Sequence, residues 1–250
     1  MSDEEQRLTE QLTRLRLPFL REHYQALATQ AAREQWTALR YLSCLIDGEC
    51  QQRQERCIAR RVAEARFPVI KTLEQFDWSW PKKINRAQIQ NLFRLAFLKE
   101  KASVVFVGGV GLGKSHLAVA LGYAGCLQGH SVLFTTAVEA INSLAGAQAQ
   151  YRLKQELKKF LAPSILVMDE LGYLPIDKAG ADLLFQIISG RYEKGSTIIT
   201  TNQAYKHWPR IFNNDSTITA AVLDRLLHHA ETVVIEGKSY RTKDELEAPE

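Results

Sequence analysis

The run Gly108-Gly109-Val110-Gly111-Leu112-Gly113-Lys114-Ser115 fits the pattern G-x-x-x-x-G-K-[S/T] in full. That chemistry is the grip on the phosphates of ATP or GTP. Glycines let the backbone approach closely, its N–H groups point inward, and a helix N-terminus adds partial positive charge. Lys114 reaches the β- and γ-phosphates, the Ser115 hydroxyl binds Mg²⁺, and His116 closes the nucleotide-contacting run. A second pair, Asp169-Glu170, has the types needed for hydrolysis: Asp169 joins the Mg²⁺ shell while Glu170 orients and polarises the attacking water. Asn202 closes a β-branched run and is either a third polar group at the same water or γ-phosphate, or a strand-end turn residue.

Positioning these groups demands alternating strands and helices. Val104 to Val107 reads as a buried strand before the loop, and His116 to Leu127 as the helix after it. Strands follow at Ser131–Thr135, Ile165–Met168, Ser196–Thr201 and Thr232–Ile235. Helical spacing covers Ala137–Leu144, Tyr151–Leu161, Ala179–Glu193 and Thr217–His229, with residues 145–148 as a loop. The alternation predicts an α/β fold, a parallel sheet flanked by helices, with Asp169-Glu170 at the C-terminal end of a central strand where ligands bind. His228 and His229 suggest a metal, but neighbours on a helix do not share a face, which favours packing or surface roles.

Ahead of this lies a different composition. From Arg7 to Arg66 the only proline is Pro18 and the only glycine Gly48, and apolar residues recur at helical spacing. A small all-helical N-terminal domain over 1–66 is expected. Its core stripes are Leu8, Leu12 and Leu15; Phe19, Tyr24 and Leu27; and Trp36, Leu39, Leu42, Leu45 and Ile46. Arg53, Arg56 and Arg60 share a helix face and could track a DNA backbone, or form an ion-paired solvated face. Residues 67–84 read as a linker containing Phe76, Trp78 and Trp80, which stack on a base or pack at a domain junction. A helix from Asn85 to Lys99 opens the second domain, 85–250.

With 250 residues and 46% hydrophobic content, the chain can bury a sizeable core. Its formal charge of +4 is compatible with nucleic acid but does not require it. Cys44, Cys50, Cys57 and Cys126 lack C-x-x-C spacing and read as reduced packing residues. An acidic N-terminus without an apolar signal core, and no apolar run of membrane-spanning length, point to the cytoplasm and away from membranes.

With these residues assembled, the chain resembles the AAA+ ATPases related to the helicase loader DnaC, and most closely the IstB family of transposition helper proteins of insertion sequences. The resemblance rests on Phe106 to Ala118, Asp169-Glu170-Leu171-Gly172-Tyr173-Leu174-Pro175, Leu184-Phe185-Gln186, Arg191-Tyr192-Glu193, Ile199-Thr200-Thr201-Asn202, Asp224-Arg225-Leu226-Leu227-His228-His229 and Gly237-Lys238-Ser239-Tyr240-Arg241. It implies an AAA+ P-loop NTPase core with a reduced or absent C-terminal lid, preceded by a helical domain for DNA or partner binding and oligomerisation. It further implies Mg²⁺-dependent hydrolysis of ATP to ADP and phosphate. Asn202 matches the first sensor, Arg225 the arginine finger offered to a neighbouring subunit, and Arg241 the second sensor. The implied partners are duplex DNA, bound with little sequence preference, a separate transposase, and further copies of the chain with ATP at their interfaces. A DnaC-like replicative helicase loader is the alternative. A small-molecule kinase would need an acceptor pocket and a phosphate-clamping lid, and a nucleotide-gated DNA scaffold would show negligible turnover.

Overall fold

The computed structural model describes residues 3–240. By its internal contacts the chain forms two compact units, one up to Arg60 and the other from Arg61 onward.

The first unit holds α1 (Asp3–Arg14), α2 (Pro18–Arg33) and most of α3 (Ala38–Ala65). Pro18 opens α2, where its missing N–H costs nothing. The core is small: Leu12, Leu20 and Leu45 are buried, with Leu17, Phe19, Tyr24, Leu27 and Tyr41 packed around them. Gly48 leaves room for the Phe19 ring, which a methyl group there would strike. The inward stripe of α3 is Tyr41, Leu45 and Glu49 at four-residue spacing. Leu39, Leu42 and Ile46 are turned off that stripe and are exposed, as are Leu8 and Leu15, so only part of each expected core stripe is core.

The second unit is built on a five-stranded parallel sheet, ordered β2-β3-β4-β1-β5. The strands are β1 (Ser103–Gly108), β2 (Val132–Thr136), β3 (Ile165–Leu171), β4 (Ser196–Thr201) and β5 (Ala230–Ile235). Around them lie α4 (Arg86–Leu92), α5 (Lys114–Leu127), α6 (Ala137–Ala149), α7 (Leu153–Leu161), α8 (Lys178–Arg191), α9 (Trp208–Ile211) and α10 (Ser216–Leu227). Helices cover both faces, so the strands read as continuous apolar runs. Val104, Phe106, Val167 and Ile198 face one core with Leu117 and Leu121 of α5. Val105, Leu166, Met168 and Ile199 face the other with Leu144, Leu184 and Leu226.

Two local expectations change. The helix expected over Asn85–Lys99 stops at Leu92; Leu95 takes a left-handed conformation at φ 58° and a short 3₁₀ turn covers Ala96–Leu98. Residues 145–148 continue α6, whose start is fixed by a reciprocal cap between Thr136 and Glu139. Residues 67–84 lie against the first core through Phe67, Leu73, Phe76, Trp78 and Ile84. All four cysteines are free thiols, and burial pushes Cys126 up to about 11. Among the described residues no helix is long and apolar enough to cross a membrane.

Candidate functional site

The phosphate loop runs from the end of β1 to the start of α5. Gly111 and Gly113 sit at φ 75° and 81°, a region that side chains rarely adopt. At Gly111 a methyl group would also collide with Ser239, and at Gly113 with the Phe76 ring. Leu112 anchors the loop in the core, while Val110 is exposed at its tip. The loop is tied from outside as well: the Tyr240 N–H donates to the Gly111 carbonyl at 2.9 Å. Arg241, the expected second sensor, lies outside the described residues.

Lys114 is buried, and its ammonium donates to the Gly109 carbonyl at 2.6 Å and to the Tyr173 hydroxyl at 3.4 Å. The Ser115 hydroxyl donates to Asp169 Oδ1 at 2.9 Å. The two residues, 54 positions apart, were both expected around one Mg²⁺, and the fold brings them into contact. The side chain of His116 turns from the loop, its Nε2 2.8 Å from the Thr72 carbonyl and its ring edge-on to Phe76. Burial holds the imidazole below the usual histidine value, as does the nearby Lys71, and the Thr72 carbonyl opposes them.

Asp169 is buried at the end of β3, and Glu170 beside it is exposed. The β3–β4 register shifts between Met168 and Leu171, and Glu170 occupies the irregularity at φ 61°. A bulge of this kind re-aims one side chain without disturbing the strand around it. Thr200 of β4 holds both: its hydroxyl donates to Asp169 Oδ1 and accepts the Glu170 N–H at 3.0 Å. Asn202 follows β4 at the same end of the sheet, with its Oδ1 buried and lacking a partner.

A cleft of about 810 Å³ opens beside the phosphate loop, Lys114, Ser115 and Glu170. It is lined by Gly111 to His116, Glu170 and Tyr173, together with Ile70, Phe76, Trp80 and Tyr240. Trp80 donates its indole N–H to the Lys238 carbonyl at 2.9 Å and meets the Tyr240 ring edge-on. Tyr173, Trp80 and Tyr240 were therefore missed as cleft residues, as was Thr200 as the brace of the acidic pair. Their only signal was residue type within motif neighbours.

Arg225 is elsewhere. It lines a hollow with Ser103, Thr197 and His229, at the N-terminal ends of the strands. The six residues of β1 separate that end from Lys114, roughly 20 Å of strand. Its guanidinium lies 5.0 Å from the Phe185 ring and donates to the Ala221 carbonyl at 3.0 Å. In the helical unit Arg53, Arg56 and Arg60 are all exposed. Arg53 is also committed to Glu49 at 2.9 Å and to the Arg16 carbonyl at 2.7 Å.

Comparison with known proteins agrees with this geometry. Residues 10–248 match the family described as IstB-like ATP binding protein. An ATP-binding protein of insertion sequence IS21 from Pseudomonas aeruginosa is 38% identical, over 95% of this chain and 89% of its own. Another, of IS5376 from Geobacillus stearothermophilus, is 34% identical over 96% of this chain and 95% of its own. Among solved structures, the DnaC helicase loader is 26% identical and matches with a TM-score of 0.54 over 66% of this chain and 96% of its own. With a match running through both units, the chain belongs to the IstB-like ATP-binding proteins, and it is an ATPase on the AAA+ fold.

Proposed function

We propose that this ATPase assembles on duplex DNA and, loaded with ATP, recruits or stimulates a separate transposase, directing target-site selection in DNA transposition. The observation that carries the assembly is the place of Arg225: it sits at the opposite end of the strands from the chain's own phosphate loop. An arginine there serves ATP only in a neighbouring copy. The insertion-sequence relatives, matched over almost the entire chain, support the transposition setting.

Within one subunit, the loop from Gly108 to His116 wraps the phosphates with backbone N–H groups, and Lys114 leaves the Gly109 carbonyl to meet the β- and γ-oxygens. Hard oxygen donors suit Mg²⁺, and the Ser115 hydroxyl resting on buried Asp169 is such a pair. The ion would neutralise charge on the transferring phosphoryl group. Glu170, aimed out of the sheet by its bulge, accepts a proton from the attacking water. Asn202 has a buried amide oxygen that could accept from this water, while its NH2 group is the donor type that a γ-phosphate oxygen would take. Arg225 of a neighbour supplies positive charge late in the reaction, with Arg241 as a second contact from the same chain. The helical region 1–66 serves DNA and partner binding, joined by 67–84 to the ATPase domain 85–250. Arg53, Arg56 and Arg60 are its proposed DNA contacts.

A second reading, a DnaC-like helicase loader, draws support from the solved loader structure, although that match covers 66% of this chain. One experiment tests the proposal: ATP turnover and particle mass on one sample, with and without duplex DNA, at two salt concentrations. A large ATP-dependent assembly on duplex DNA with faster phosphate release is expected, and Arg225→Ala should keep ATP binding while losing turnover. A particle that stays small, indifferent to DNA, removes both the assembly and the DNA partner.

A further inference from the structure

Away from the nucleotide cleft, three side chains with metal-binding atoms converge. One ligand atom each from Glu193, His228 and His229 lie within 4.8 Å of one another, all on exposed residues. The objection that adjacent histidines on a helix point apart does not apply, because α10 ends at Leu227 and the two histidines form the turn into β5. Their ring centroids are 4.1 Å apart. Glu193 comes from a second turn, just past α8, where its φ of 58° swings the carboxylate toward them.

We propose that Glu193, His228 and His229 form a site for a borderline divalent metal ion of the Zn²⁺ class. Two imidazoles and one carboxylate are a recurrent three-ligand set for zinc, leaving a fourth position for water or another donor. A second observation points to a ligand: His228 Nδ1 lies 3.0 Å from the Tyr192 hydroxyl. With Nδ1–H donating to that oxygen, the Nε2 lone pair is free for a metal, the outer-shell arrangement that orients metal-bound histidines. The setting suits a cation further, since α8 and α10 both end at this corner with the partial negative charge of their last carbonyls. Lys101 and Arg225 line the same hollow as Glu193 and His229 and hold the affinity below that of a closed four-ligand site. The bound ion clips the turn after α8 to the turn after α10. Its binding does not depend on DNA or on the role proposed for Arg225.

Zinc chloride titrated into the full chain under reducing conditions tests this by calorimetry, with Co²⁺ absorption reporting the ligand types. One equivalent is expected, with a cobalt spectrum free of thiolate charge transfer. His228→Ala with His229→Ala should abolish it, Glu193→Gln should weaken it, and Tyr192→Phe should weaken it by about tenfold. These residues are at the surface, so each variant should keep the wild-type melting temperature without metal. Undetectable zinc binding, a thiolate band that assigns the metal to the cysteines, or unchanged binding in the double histidine variant each overturns the site.

Discussion

Apart from Lys114 and Asp169 of the nucleotide site, the ATPase unit buries the charge of Arg191 and the helical unit that of Glu49, with very different reserves. In the ATPase unit Arg191 is almost wholly inside, and its guanidinium is spent on neutral acceptors: the carbonyls of Phe160, Pro163, Ser164 and Ser196 and the Thr197 hydroxyl, at 2.7 to 3.3 Å. It closes the C-terminal end of α7 and ties the starts of β3 and β4, inside a framework with two apolar cores. Burial lowers its pKa to about 10, so it stays charged at neutral pH. In the helical unit Glu49 is buried instead, holding the Phe19 N–H at 2.9 Å and Arg53 at 2.9 Å, beside three buried leucines. The contrast teaches where each unit is brittle. The ATPase unit has many supports converging on one cation, and the helical unit has few supports of any kind.

Arg191→Met is the sharpest break of that contrast. It leaves several buried carbonyls without donors, and a loss of about 4 kcal/mol from the ATPase unit is expected. Thermal unfolding with ATP turnover on the same sample measures it; a loss under about 1 kcal/mol would mean that water replaces the guanidinium. Leu45→Ala is next, at about 3 kcal/mol from the helical unit, because a small core cannot collapse around the cavity. Hydrogen exchange in α1 to α3 should rise while that of the sheet stays protected. Equal loss in both units would erase the distinction between them.

A smaller change probes the site itself. Thr200→Val keeps volume but removes the hydroxyl that joins Asp169 to the Glu170 backbone, costing about 1–2 kcal/mol in stability. Turnover should fall more than ATP affinity does, because Glu170 loses its brace while Lys114 and the glycine loop are untouched. An equal loss of both would place Thr200 in nucleotide binding.

Much of this was legible from residue order. The phosphate loop, the acidic pair and the strands around them depend on local runs whose burial on both faces leaves a plain signal. The long-range brace was not, since Thr200 reads as one more β-branched strand residue until β4 is placed beside β3. The role of Arg191 was hidden for the same reason, as its acceptors, four of them backbone carbonyls, lie 5 to 31 residues away. In the helical unit periodicity marked Leu39, Leu42 and Ile46 as apolar, but three helices offer too little surface to cover every apolar stripe. Helical spacing also carried α10 on to His229, whereas the helix ends at Leu227 and the two histidines lie in the turn that follows.

The mildest test of the contrast needs no mutation. Burial by itself would raise the Glu49 pKa, but the Arg53 hydrogen bond and the Phe19 and Leu20 N–H groups outweigh it and hold the carboxyl below the ordinary glutamate value of 4.5. A depressed folded pKa means that the unfolded state binds the proton more readily, so this contribution is full above 4.5 and fades as pH falls through the folded value. Acid should therefore loosen the helical unit, with hydrogen exchange in α2 and α3 accelerating below pH 4.5. Glu49→Gln, which can still accept the Phe19 N–H, should flatten that dependence at the cost of a lower plateau at neutral pH. Should the variant lose protection with acid as steeply as the parent, the acid sensitivity belongs to other carboxylates, and Glu49 is a packing residue whose charge is incidental.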